Sequence, residues 1–87
     1  MELSGKIVVV TGGASGIGTG LCRRFREEGV RALIIADLNG EAVTALADEL
    51  DAVGVALDVR DEAAIATMVS EVEAQFGQID LFCSNAG

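Results

Sequence analysis

Residues 11–18 read Thr-Gly-Gly-Ala-Ser-Gly-Ile-Gly, and Asp37 lies 19 residues beyond Gly18. Glycines at 12, 13, 16 and 18 let a backbone turn sharply and approach a ligand without Cβ clashes. If a helix begins there, its unpaired N–H groups and positive dipole end favour a pyrophosphate. A carboxylate roughly 20 residues further on can accept hydrogen bonds from both hydroxyls of an adenosine ribose. A tight turn and an ordinary acidic residue are the plainer reading. Four glycines in seven residues favour the ligand.

Rival loop chemistries fail on single residues. Gly13 and Gly18 have the spacing of a P-loop, but Thr19 stands where that loop needs Lys. The dinucleotide fingerprint G-x-G-x-x-G is unmet, because Leu21 follows Gly16 and Gly18 where a third Gly or Ala is needed. Histidine-based acid–base chemistry is excluded, since the chain has no His. Cys22 and Cys83, the two cysteines, are too few for a zinc site and read as core residues. Nothing basic near Cys83 in sequence would activate its thiol. No metal site is expected.

The segments around these residues alternate regularly. Lys6–Thr11 is a short β-branched run, as expected of a strand buried on both faces. A helix follows to about Glu28, with Ile17, Leu21 and Phe25 on one face and Gly29 as its C-terminal stop. Residues 31–37 predict a second strand, and 41–50 a helix with Val43, Leu46, Ala47 and Leu50 aligned. Residues 53–57 predict a third strand, 61–76 a helix closed by Gly77, and 79–84 a fourth strand. Strands alternating with helices imply parallel pairing through right-handed crossovers. The expectation is an α/β, Rossmann-type doubly wound parallel sheet of order 3-2-1-4 with three helices. Ligands of such sheets bind at the carboxyl ends of the strands, where every motif here falls.

Thr11, Gly12, Gly16 and Gly18 match without a gap the T-G-x-x-x-G-x-G motif of the short-chain dehydrogenase/reductase family, which the chain resembles over essentially its whole length. Asp58-Val59 resembles the family's adenine-contacting Asp-Val pair. Ser84-Asn85-Ala86-Gly87 resembles its N-N-A-G segment, with Ser84 replacing the first Asn. The resemblance implies a cofactor site of Gly12, Ser15, Gly16, Ile17, Gly18, Asp37, Leu38, Asp58, Val59, Asn85, Ala86 and Gly87. Asp58 would bond the adenine amino group, although it or Asp61 could instead cap the next helix. Asn85 is either a ligand or a tie between strands. Gly20 is expected where a helix packs closely on the sheet. NADP-preferring relatives carry a basic residue in the loop or after the acidic position. Ser15 and Leu38 stand there, and the Asp37 carboxylate would repel a 2′-phosphate, so NAD is the expected cofactor.

The family's chemistry also needs a Tyr, a Lys four residues later and a Ser. The chain has no Tyr, its one Lys is Lys6, and Ser84 does not match the catalytic Ser. No catalytic residue is therefore assigned. Residues 1–87 are expected to be the NAD-binding portion of a larger domain, inactive alone. The parent would be a homo-oligomeric oxidoreductase acting on an alcohol or ketone. A non-catalytic dinucleotide-binding or assembly module is the alternative, and a sugar-nucleotide epimerase is a weaker rival because its loop is spaced differently.

Composition narrows the partners. The chain is 51% hydrophobic and 23% charged, as globular domains are. Residues 1–31 carry +2 and residues 32–87 carry −10, so phosphate backbones and anionic membranes would be repelled. No apolar run approaches roughly 18 residues, the first residues do not read as a signal peptide, and a cytoplasmic location is expected.

Overall fold

The computed structural model describes every residue except Met1, Gly13, Ala86 and Gly87. Four parallel strands, β1 (Ile7–Thr11), β2 (Ala32–Asp37), β3 (Val53–Ala56) and β4 (Leu81–Ser84), lie in the order β3-β2-β1-β4. Helices α1 (Gly16–Glu27) and α2 (Gly40–Leu50) cover one face, and α3 (Glu62–Phe76) covers the other. This is the doubly wound arrangement that the alternation of segments predicts. The chain reverses its direction of travel after β3, which sends α3 to the opposite face.

The pleat divides the core in two. Val8, Val10, Leu33 and Ile35 meet Cys22, Phe25, Val43 and Leu46 from α1 and α2. Ile7, Val9, Ala32 and Ile34 meet Met68 and Val72 of α3. Every residue of β1 is buried, which explains its unbroken β-branched run. β3 and β4 form the edges and are largely half-buried or exposed.

Element bounds depart from the sequence pattern by one or two residues, for local reasons. β4 starts at Leu81 because Asp80 bonds the start of β1, accepting at Oδ2 from the Ile7 N–H at 2.9 Å. α1 closes in a Schellman turn, with Gly29 at φ +79° and the Val30 N–H reaching back to the Phe25 carbonyl. α2 instead ends on Asp51 in the left-handed region. The Arg26 guanidinium of α1 donates to the Leu50, Asp51 and Val30 carbonyls, supplying the cation that α2 lacks in its own last turn.

The close helix–sheet packing expected at Gly20 occurs at another glycine. Gly20 is exposed, and a Cβ there would meet nothing within 4 Å, so it does not serve close helix–sheet packing. Gly54 does. A Cβ on Gly54 would lie 3.1 Å from both the Ala47 Cβ and the Val43 carbonyl oxygen, so its absence lets α2 lie directly on β3.

Candidate functional site

Strand register places the motif residues along one edge of the sheet. Thr11 is opposite Ala36 on one side and Ser84 on the other, and Asp37 is opposite Ala56. The carboxyl ends of all four strands therefore converge, and each of the three helices starts there. Thr11 is 2% exposed, and its Oγ1 donates to the Cys83 carbonyl, joining β1 to β4 at this end. Asn85 adds to that junction through its backbone N–H, which donates to the Thr11 carbonyl at 3.1 Å.

The glycine turn leaves β1 at once. Gly12 has φ +70°, a conformation that side-chain-bearing residues rarely adopt, and its N–H donates to the Ala36 carbonyl at 2.7 Å. Ser15 is the N-cap of α1, yet its side chain does not cap the helix; its Oγ donates backwards to the Gly12 carbonyl at 2.9 Å. No acidic residue stands in the first turn of α1. Gly16, Ile17 and Gly18 thus open a helix that has no side-chain cap from Ser15 and no acidic residue of its own in the first turn. Gly18 is buried against the fold, whereas Ile17 is 76% exposed.

Asp37 reaches across to this turn. Its Oδ2 accepts from the Ala14 N–H at 3.0 Å, and its Oδ1 accepts from the Asn39 N–H at 3.1 Å. Beside it Leu38 is 67% exposed, an apolar surface next to the carboxylate. The Asp37 carboxylate thus joins the end of β2 to the glycine turn.

The Asp58–Val59 pair lies beyond the end of β3. The Asp58 carboxylate is gripped by Arg60, whose Nε and Nη2 donate at 3.1 and 2.9 Å while its backbone N–H donates at 2.9 Å. Those bonds to Arg60 hold Asp58 below the usual carboxylate range. Asp58 does not cap α3. Asp61 does, accepting from the Ala64 N–H at 3.1 Å. The Asp-x-Arg spacing of Asp58 and Arg60 is the sequence signal for this ion pair. Ala86 and Gly87 lie outside the described residues.

Both thiols are packed on the sheet face that carries α1 and α2. Burial pushes the Cys22 pKa up to about 11, with a lesser upward push from Cys83, and burial also raises Cys83. Thiols held protonated in this way are poor nucleophiles at neutral pH. Among the described residues no cluster of His, Cys, Asp or Glu could hold a metal, and no helix is long and apolar enough to cross a membrane.

Residues 6–87 match the family model described as short chain dehydrogenase. The chain belongs to the short-chain dehydrogenase family. It is 45% identical over 92 residues to 3beta-hydroxysteroid dehydrogenase 2 of Eggerthella lenta, covering 98% of this chain and 34% of that protein. It is 42% identical over 85 residues to 2-dehydro-3-deoxy-L-rhamnonate dehydrogenase (NAD(+)) of Sphingomonas sp., covering 97% and 34%. The crystal structure of 3-ketoacyl-(acyl-carrier-protein) reductase from Brucella melitensis, complexed with NADH, superposes with a TM-score of 0.84 at 32% identity, covering 92% of this chain and 33% of that one. This short-chain dehydrogenase chain thus spans about a third of the length of such relatives.

Proposed function

We propose that the chain supplies the NAD site of an oxidoreductase that interconverts an alcohol and a ketone by hydride transfer. The observation that carries this reading is the meeting of the Asp37 carboxylate with the glycine turn, 3.0 Å from the Ala14 nitrogen. The open N-terminus of α1 suits the pyrophosphate. Asp37 suits the adenosine ribose, with Leu38 and Ile17 giving apolar contact on either side. Asp58 suits the adenine amino group, Arg60 holding its carboxylate ionised, and Val59 contributes backbone. Asn85 stands at the end of β4 on the nicotinamide side. Bound nicotinamide supplies the hydride chemistry; these residues bind and orient it.

NAD rather than NADP follows from charge. A 2′-phosphate would meet the Asp37 carboxylate with no cation at Ser15 or Leu38 to balance it. A relative named for NAD and a neighbour holding NADH are consistent with that choice. Residues 1–87 are read as the nucleotide-binding part of a larger domain, with proton-transfer groups supplied from elsewhere. The half-covered β4, with Phe82 40% exposed, supports this, because an apolar sheet edge needs a covering partner.

Amide chemical-shift mapping with NAD tests the reading. Shifts should cluster at residues 12–18, 37–38, 58–59 and 85. A chain that binds no NAD, or shifts only along α2 and the outer edge of β3, contradicts it.

A further inference from the structure

We infer that Asp37 is also a positioning residue, which holds the glycine turn in its binding conformation before any dinucleotide arrives. The inference rests on the reading of this edge as a dinucleotide site and adds a second task for the same carboxylate.

Among the described residues the turn has few attachments. Gly12 is tied to β2 through the Ala36 carbonyl at 2.7 Å, and Ser15 folds back on Gly12 through both its N–H and its hydroxyl. Those Ser15 bonds are internal to the turn and anchor it to nothing else. Between Gly12 and α1, among the described residues, the bond joining the turn to another strand is Ala14 N–H to Asp37 Oδ2. It spans 23 positions in sequence. The carboxylate is itself fixed, since the Asn39 N–H holds its other oxygen at 3.1 Å. Ionised carboxylate oxygens have further lone pairs, so this arrangement leaves capacity for ribose hydroxyls. Charge alone argues against a carboxylate beside a pyrophosphate site. A bond that orders the turn gives it a purpose there apart from the ribose.

Hydrogen exchange in the cofactor-free intact protein tests this, comparing Asp37→Ala with Asp37→Asn. The readouts are the amides of Ala14, which bonds Asp37, and of Ser15, which does not. Val9 and Ile34 amides report whether the sheet remains folded. Loss of a hydrogen bond to a charged group corresponds to about a ten- to hundredfold change. Asp37→Ala should accelerate both Ala14 and Ser15 by that order while Val9 and Ile34 keep their protection. Asp37→Asn, which retains a carbonyl acceptor, should restore most of it. Unchanged exchange at Ala14, or acceleration at Ala14 without Ser15, overturns the positioning role. So does global loss of protection that Asn fails to rescue. Failure of the NAD site is separable: the intact protein would then show a protected turn and no NAD-induced shifts.

Discussion

All three helices start at the same edge of the sheet, but two of them satisfy their own N-termini and one does not. Asn39 caps α2 by accepting from the Ala42 N–H, and Asp61 caps α3 by accepting from the Ala64 N–H, each at 3.1 Å. Glu41 and Glu62 add a carboxylate to each first turn, as the helix dipole favours. α1 has a capping residue type at Ser15 and turns its hydroxyl the other way. Two helices are thus capped by their own side chains, while the third is left without a side-chain cap. That helix follows the central strand β1, beside the point where the strand order reverses between β1 and β4.

Giving α1 its own cap should erase the difference, with opposite signs for stability and binding. Ser15→Asp places an acceptor and a carboxylate at the open end. Stability should rise by about 0.3–1 kcal/mol. NAD affinity should fall at least about tenfold, since the new charge opposes the pyrophosphate. Denaturant melts and calorimetric titration of one variant measure both. A variant that gains stability and binds NAD unchanged would show that this helix end does not hold the phosphates.

Cap deletions sharpen the same contrast with a smaller effect. Asn39→Ala and Asp61→Ala should each cost about 1 kcal/mol. Ser15→Ala, which removes no capping bond, should stay within about 0.5 kcal/mol of the parent. Three unfolding curves decide it; an equal loss from all three would mean that Ser15 caps α1 after all.

The layout of the sheet was readable from sequence because β1 and β2 are buried on both faces, so their apolar runs admit one interpretation. The glycine turn and Asp37 were readable because their spacing reflects one strand, one helix and one more strand. Contacts between distant segments left no such trace. Nothing local indicates that Asp37 bonds Ala14, or that Gly54 is the point where α2 settles on β3. Gly20 misleads for the converse reason: a small residue on a helix suggests packing, but that side of α1 faces outward. Asp58 and Asp61 could not be told apart as caps, being equally suited by type and three residues apart. Geometry assigns the cap to Asp61, which directly precedes α3, while Arg60 holds the Asp58 carboxylate.

We propose that the carboxylate at the end of β2 faces an adenosine ribose and so selects NAD. It is tested most directly by the dissociation constants of NAD and NADP for the intact protein and for the double variant Asp37→Ala, Leu38→Arg. The parent should prefer NAD. The variant loses a charge-assisted acceptor, which should weaken NAD by roughly 1.5–3 kcal/mol, about ten- to a hundredfold. It also gains a guanidinium suited to a 2′-phosphate, so NADP should tighten and the preference ratio should move further than either constant alone. Equal binding of NAD and NADP by the unmodified protein would contradict the account, because Asp37 would then not face the ribose.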